Sequence, residues 1–201
     1  ALSSAASDVY KRQVFESMNI GAAYKNSLII SGSVTIGVMI LSAMMSFALT
    51  RYNFKGKKII ESLLAASLMF PVFSTIIPVF RMIVEAGLLS TNLAVILPQI
   101  AGNLSFATIV MIGFMKSIPI EMEEAAYMEG ANVFQVFIKI IVPLCKASLS
   151  TVAIFSFMWS YNDLFVQKIM IREPKKFPIS NLLERISSQY GTDFGLFLWY
   201  T

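Results

Sequence analysis

The chain has 201 residues, of which 56% are hydrophobic and 14% are charged. A soluble domain is expected to carry about 25% charged residues, so this composition indicates a membrane protein. Histidine is absent and Cys145 is the single cysteine, which excludes a Ser–His or Cys–His nucleophile pair, a His or Cys metal cluster and an intrachain disulfide. Basic membrane loops explain the net charge of +4, so we expect no nucleic-acid partner.

The first membrane span is expected over residues 26–50, which contain no charge and are long enough to cross roughly 30 Å of hydrocarbon as a helix. Residues 1–25 are mixed and polar, and we expect them to form an external lead-in loop. Small residues along the span, including Gly37, favour close packing of helices in lipid. Residues 51–58 follow with four basic side chains and no acid, which predicts that they lie in the cytoplasm.

Two further spans are expected in the next part of the chain. The second covers about residues 60–84 and should bend at Pro71 and Pro78. The third covers about residues 92–115, where Gln99 and Asn103 lie four residues apart on one helical face. Uncharged polar groups at this depth either form hydrogen bonds between helices or line a pathway. The sequence leaves both roles open.

Residues 117–143 interrupt the apolar chain with a cluster of carboxylates. Pro119 suits a first helical turn, and the acids that follow it complement the positive end of a helix dipole. Gly130 then permits a tight bend, and apolar residues recur beyond it at three- and four-residue spacing. The pattern predicts a short helix, a bend and a second amphipathic helix, all outside the hydrocarbon. The four carboxylates are Glu121, Glu123, Glu124 and Glu129.

Within this stretch the chain reads E-A-A, three residues, G, nine residues, I, one residue, V-P. It resembles the EAA loop of ABC-transporter permease subunits and departs from it at Val142, where the family has Leu. The resemblance implies a cytoplasmic coupling loop at 117–143 that sits in a groove on a separate ATP-binding subunit. The alternative is a solvated amphipathic connection between two membrane helices. The ATPase-coupling residues implied by the resemblance are Glu124, Ala125, Ala126, Gly130, Phe134, Ile140 and Pro143.

A fourth span is expected over about residues 144–166. Its polar end, Trp159 to Asp163, resembles a W-N-D/E-type segment of the sugar-transporter (MalG-like) branch of the same family, although two residues separate Trp159 from Asn162 here. Aromatic residues also gather at any membrane interface, so sugar binding and a simple interfacial position both stay open. A carboxylate near membrane depth needs a partner or water. The candidate pathway residues are Gln99, Asn103, Tyr161, Asn162 and Asp163.

The remainder of the chain is expected to return to the outside and then re-enter the membrane. Residues 167–193 are external by alternation, although they are basic, because long loops are translocated with less regard for charge. A fifth span begins near Phe194, but the eight residues to Thr201 are too few to cross a bilayer. The expected fold is therefore all-α, a polytopic transmembrane helical bundle over 26–201 with four complete spans and the start of a fifth. We expect the chain to be truncated at its C-terminus and to lack a first helix.

The sequence carries no Walker A pattern or Gly-rich phosphate loop, so no cofactor is expected on this chain and ATP is expected on a partner. The resemblance implies a non-enzymatic permease subunit of an ABC importer in a bacterial or archaeal cytoplasmic membrane, with a sugar as the first choice of solute. The implied partners are ATP-binding subunits, a second permease subunit, an extracytoplasmic substrate-binding protein and membrane lipid. An amino-acid or peptide permease, a secondary transporter or channel, and an accessory protein that recruits a soluble partner remain alternatives.

Overall fold

The computed structural model describes residues 20–173 and 176–181, without the side chains of residues 72 and 73. Over these residues it shows helices and their connections and no strand, which confirms the all-α class. Residues 1–19, residues 182–193 and the expected fifth span lie outside the described residues. The helices are α1 (Ile20–Arg51), α2 (Lys57–Ser67), α3 (Val72–Glu85), α4 (Asn92–Met115), α5 (Glu121–Met128), α6 (Val133–Val136), α7 (Val142–Leu144), α8 (Lys146–Asn162) and α9 (Leu164–Met170), with a π-helical turn at Phe137–Ile141.

Two described helices, α1 and α4, are each long and apolar enough to cross a membrane. A third span is present if the segments Val133–Leu144 and Lys146–Asn162, which meet at 76°, are taken as one bent span. The third predicted span has the bounds of α4, which begins after Thr91, whose hydroxyl accepts a hydrogen bond from the amide of Ala94 at 3.3 Å. The first predicted span falls within α1. In the described residues α1 also includes residues 20–25, which the prediction assigned to the lead-in loop, because the single charge of Lys25 can extend to water without ending a helix.

The second predicted span is not one helix. It is divided into α2 and α3, of 11 and 14 residues, and the break falls at residues 68–71. Pro71 lies at the N-cap of α3 with extended backbone, because proline has no amide hydrogen and disfavours helical geometry in the residue before it. Pro78, in contrast, lies inside α3. The four complete spans of the prediction are therefore not reproduced as four continuous helices in the described residues.

The core lies where α1 packs against α4 and α8. Ile30, Val34 and Val38 recur every four residues on one face of α1 and are fully buried. At Gly37 an added Cβ would lie 2.5 Å from Cδ1 of Ile100, so the missing side chain lets α4 approach α1 closely. This contact confirms the close packing that the small residues of α1 predict.

At the end of the bundle where α1 begins, backbone amides of the segment that follows α9 donate hydrogen bonds to two serine hydroxyls. The amide of Arg172 donates to the hydroxyl of Ser90 at 3.1 Å, and the amide of Ile179 donates to the hydroxyl of Ser27 at 2.8 Å. These bonds join the segment to the α3–α4 connection and to the beginning of α1. The loop predicted from residue 167 starts four residues later, at residue 171, because α9 continues to Met170.

Candidate functional sites: the coupling loop and a buried polar cluster

The first arm of the coupling loop (residues 117–143) is the helix α5. Its first turn carries Glu121, Glu123 and Glu124, which interact favourably with the positive end of the helix dipole. The helix ends in a Schellman motif: the amide of Gly130 donates to Tyr127 O and the amide of Ala131 donates to Ala126 O, both at 3.0 Å. Gly130 has φ +85°, a left-handed conformation that favours glycine. The predicted short helix and bend are confirmed.

The second arm starts with a capping box that the sequence interpretation missed. Asn132 Oδ1 accepts from the amide of Gln135, and Gln135 Oε1 accepts from the amide of Asn132, both at 2.9 Å. The signal was present in the sequence as Asn-Val-Phe-Gln, which has the spacing of this motif. These two bonds begin α6 directly after the bend, so the two arms are separated by only four residues, Glu129 to Asn132.

The apolar residues of the second arm, predicted to share one helical face, point partly into the core and partly to the surface. A π-helical turn at Phe137–Ile141 adds a residue to the turn, so the 3.6-residue period does not continue through it. Ile141 is fully buried and Phe137 is half-buried in the core, whereas Phe134 and Ile138 are 69% and 52% exposed. Of the stripe, Phe137 and Ile141 therefore pack inside the protein, whereas Phe134 and Ile138 stay at its surface.

Phe134 and Ile138 line an open apolar groove of about 420 Å³ between the second arm and α1. The α1 side of this groove includes Ile40, Met44 and Phe47. Because α1 has the length and composition of a membrane span, the groove marks the place where the second arm meets the membrane helices.

The other predicted coupling residues differ in exposure. Glu124 and Ala125 of α5 are exposed and Ala126 is half-buried against the core. Met128, one turn after Glu124, is 89% exposed. Among the remaining predicted residues, Ile140 is half-buried and Pro143 is exposed. Glu124, Ala125 and Met128 are referred to below as the outward face of α5.

Glu123 points the other way and was missed as a separate functional residue. Its side chain is 4% exposed and its Oε1 lies 2.5 Å from Nε of Arg51, the last residue of α1. Arg51 also donates from Nη2 to the carbonyl of Ile118 at 3.1 Å. The sequence interpretation treated Arg51 only as a topology signal. No local pattern marks this pair, because 72 positions separate its members.

Two aromatic contacts extend the connection between α1 and the coupling loop. Partial burial of the Tyr127 hydroxyl, together with the nearby Tyr52 and Glu123, raises the pKa of Tyr127 above its usual value. On the second arm, the rings of Phe47 and Phe137 lie 5.2 Å apart. The end of α1 therefore contacts the loop on both sides of Gly130.

A second site is a buried polar cluster formed by Gln99, Ser160, Asp163 and Gln167. Gln99 is 5% exposed; its Nε2 donates to Asp163 Oδ2 at 2.9 Å and its Oε1 accepts from the Ser160 hydroxyl at 2.6 Å. Asp163 Oδ1 accepts from the amide of Val166 at 3.1 Å and so caps α9. The cluster joins α4 to the break between α8 and α9. For Gln99, the geometry favours the interhelical role over pathway lining.

Gln167 belongs to the same cluster and was not singled out from the sequence. It is fully buried, and its Nε2 donates to the Ser160 carbonyl at 2.8 Å. Its Oε1 has no hydrogen-bond partner among the described residues. A glutamine in a stretch expected to be an external loop gave no signal of burial.

The other candidate pathway residues lie outside this cluster. Asn103 donates to the backbone carbonyl of Gln99 at 2.8 Å, within α4. Asn162 is exposed and donates to the Met158 carbonyl at 2.8 Å. Tyr161 stacks on Phe157 with 5.8 Å between ring centroids. Of the five residues, the structure brings only Gln99 and Asp163 together through their side chains.

Membrane-length apolar helices joined by a polar, two-armed loop define a polytopic helical membrane protein. Residues 27–201 match the family model of the binding-protein-dependent transport system inner membrane component. Because the match extends over most of the chain, the protein belongs to this family of ABC-transporter permeases. The resemblance inferred from the EAA pattern is thereby confirmed.

Relatives and a solved structure agree with this assignment. The diacetylchitobiose uptake system permease protein NgcG of Streptomyces coelicolor is 32% identical over 88% of this chain and 59% of its own length. The trehalose transport system permease protein SugB of Mycobacterium tuberculosis is 35% identical over 77% of this chain and 57% of its own length. The chain therefore spans about three fifths of these relatives.

The solved structure is that of a bacterial ABC transporter involved in the import of the acidic polysaccharide alginate. One of its chains superposes with a TM-score of 0.76 over 86% of this chain and 60% of that chain, at 24% identity. At 24% identity, this similarity establishes that the two chains share a fold and nothing beyond the fold.

Proposed function

We propose that the protein is a permease subunit of an ATP-binding-cassette importer and that it forms part of the translocation path for a small sugar or oligosaccharide. The family membership supports the permease role. The named solutes of the relatives NgcG and SugB, diacetylchitobiose and trehalose, support a carbohydrate as the substrate class. The observation that carries the coupling part of the proposal is the bent loop with an exposed Glu124 on a short helix.

In this proposal the outward face of α5 docks into a groove on an ATP-binding subunit. Glu124 provides hydrogen-bond acceptors at the surface, Ala125 allows close approach, and Met128 supplies an adaptable apolar contact. ATP-driven closure of two such subunits displaces α5, and the displacement changes the arrangement of the membrane helices between two states. A second permease subunit completes the path, and a substrate-binding protein delivers the solute from the opposite side.

The proposed sidedness places residues 51–58 and 116–143 in the cytoplasm and residues 167–193 outside. The contact between Arg51 and Glu123 supports a common side for the first two segments. The hydrogen bonds of Ser90 with Arg172 and of Ser27 with Ile179 support placing the third segment at the end of the bundle where α1 begins, away from Arg51.

The test is co-purification of the full-length protein with its candidate ATP-binding subunits. We expect Glu124→Arg to abolish this association while the protein retains its size-exclusion profile. Glu121→Arg is the matched control, because it makes the same charge change in the first turn of α5 outside the EAA pattern. Retention of the ATPase by Glu124→Arg and by a Glu124→Arg/Gly130→Asp double variant would rule out the coupling role.

The substrate class is tested separately by uptake of labelled disaccharides and amino acids in cells that express the whole transporter. We expect uptake of a disaccharide that depends on ATP and disappears in Glu124→Arg. ATP-dependent uptake of an amino acid instead of a disaccharide would support the permease role but show that the proposed substrate class is wrong. Uptake that persists without ATP would favour a secondary transporter.

A further inference from the structure

We propose that Arg51 is a positioning residue that makes α5 and the C-terminal end of α1 move as one body. This inference depends on the proposed coupling function and adds a mechanical path to it. Displacement of α5 by the ATPase would then be passed directly to α1, which is distant in the chain, as well as to the helices that adjoin the loop.

The covalent connections of α5 alone do not provide this rigidity. On one side, residues 116–120 form a turn that contains Pro119; on the other, the chain bends at Gly130 with φ +85°. Turns of this kind transmit a rotation less well than a continuous helix, because their dihedral angles can change without breaking a helical hydrogen-bond ladder. A non-covalent contact to another helix is therefore needed to fix the orientation of α5.

The guanidinium of Arg51 supplies that contact at two points. It binds Glu123 in the first turn of α5 and the carbonyl of Ile118 in the preceding turn. The planar, forked donor set of arginine suits two acceptors at once, which the point charge of lysine does not. The Arg51 guanidinium thus fixes both the beginning of α5 and the turn that precedes it relative to the end of α1.

The burial and spacing of these residues distinguish the contact from a surface ion pair. The side chains of Arg51 and Glu123 are 12% and 4% exposed, so solvent screening of their attraction is weak. One helical turn further along α5, Tyr127 lies near Tyr52, the residue that directly follows α1. Glu123 and Tyr127 therefore form a face of α5 that contacts α1, adjacent to the outward face that carries Glu124.

The helix that receives this contact is centrally placed. α1 packs against both α4 and α8, and its face of Ile30, Val34 and Val38 is fully buried along the contact. Close-packed helices transmit a displacement instead of absorbing it. A movement of α5 that is passed to the end of α1 by Arg51 would therefore reach both neighbours of α1.

The experiment uses the full-length permease assembled with its ATP-binding subunits and reconstituted into lipid vesicles. Three quantities are measured for each variant: co-purified ATPase, ATP hydrolysis, and solute uptake per ATP hydrolysed. The variants are Arg51→Glu, Glu123→Arg, the exchanged pair Arg51→Glu/Glu123→Arg, and Arg51→Lys. Lys55→Glu is the control, because it makes the same charge change at an exposed position of the same basic segment, residues 51–58.

We expect each single reversal to retain the ATPase and to lower uptake per ATP by roughly 2- to 30-fold, the range by which single substitutions change the coupling between distant sites. The exchanged pair should recover most of the loss, and Arg51→Lys should be intermediate because it retains only the charge. Lys55→Glu should leave the ratio unchanged. A purely structural role would lower the amount of assembled complex without changing uptake per ATP.

Normal uptake per ATP in the single reversals would overturn the inference. The inference would also be overturned if the exchanged pair folds and assembles but recovers none of the lost uptake per ATP. Failure of the wild-type protein to retain any ATPase would overturn the proposed function itself, and this inference with it.

Discussion

Gln99 of α4 donates a hydrogen bond to the carboxylate of Asp163, 64 positions later in the chain, at 2.9 Å. The other oxygen of the same carboxylate accepts from the amide of Val166. One side chain thus caps α9 and joins it to α4 at the place where α8 ends. The contact of Asp163 with Gln99 and Val166 therefore fixes the position of the break between α8 and α9.

We expect Asp163→Ala to lower the free energy of unfolding by about 1–3 kcal/mol, because it leaves the buried Nε2 of Gln99 without an acceptor and removes a helix cap. The neighbouring Asn162→Ala is the control, since Asn162 is exposed, and it should change stability by less than about 0.5 kcal/mol. Thermal unfolding of both variants in the same detergent measures the difference. Equal effects would show that the Gln99–Asp163 bond contributes no stability.

Gly130→Ala should destabilise the protein by about 1–2 kcal/mol, because a Cβ is unfavourable in the left-handed conformation. Nothing lies within 4 Å of the added Cβ, so the effect would come from the backbone alone. Gly113→Ala in α4 meets equally open space without a left-handed φ and should be neutral or stabilising. The denaturation midpoint should therefore fall for Gly130→Ala and stay unchanged or rise for Gly113→Ala, and a harmless Gly130→Ala would contradict the Schellman geometry.

Gly37→Val should cost about 1–3 kcal/mol through overpacking, because the space for its side chain is filled by Ile100. Combining it with Ile100→Ala should recover part of the loss, since the two side chains compete for one volume. Gly32→Val on the same helix, where nothing lies within 4 Å, is the control. Additive effects of Gly37→Val and Ile100→Ala would argue against direct contact between α1 and α4 at this point.

Tyr127 gives the coupling loop a dependence on alkaline pH. Its pKa is raised above the ordinary value of 10.0 by partial burial and by the nearby Tyr52 and Glu123. The folded protein therefore holds this proton more tightly than the unfolded chain, so the stabilisation is complete below pH 10.0 and is lost as pH rises through the folded pKa. The difference in ultraviolet absorbance between wild type and Tyr127→Phe, titrated from neutral to alkaline pH, should show one tyrosine that ionises late. A difference curve centred at or below the ordinary value would contradict the contact.

The features predicted from sequence were those with a local signal. The acids of α5, the left-handed Gly130 and the uncharged run of α4 each depend on neighbours within a few residues, and the structure has all three. The π-helical turn at Phe137–Ile141 has no such signal, and so the amphipathic stripe was extended through it. The break before Pro71 was underestimated, because a proline in a membrane helix is compatible with either a bend or an interruption.

The candidate sites follow the same division. Gln99 and Asp163 were each identified as polar groups at membrane depth, yet nothing in the sequence indicates that they bond to each other. Glu123 and Glu124 are adjacent acids in one helical turn, and composition cannot tell which is buried. Their different surroundings come from α1, which reaches Glu123 with Arg51 from 72 positions away. Long-range pairing of this kind is set by the packing of helices, which no periodic pattern specifies.

The separation between Arg51 and Glu123 also has a consequence for biosynthesis. A ribosome adds about 5–20 residues per second, so roughly 4 to 14 s pass between the synthesis of Arg51 and that of its partner. During this interval Glu123 does not yet exist, so we expect Arg51 to act together with Lys55, Lys57 and Lys58 as a positive charge that favours the proposed cytoplasmic side. When Glu123 is made, that charge is withdrawn into the folded protein. On the proposed sidedness we therefore expect the same guanidinium to contribute to the orientation of α1 in the nascent chain and to the contact with Glu123 in the finished protein.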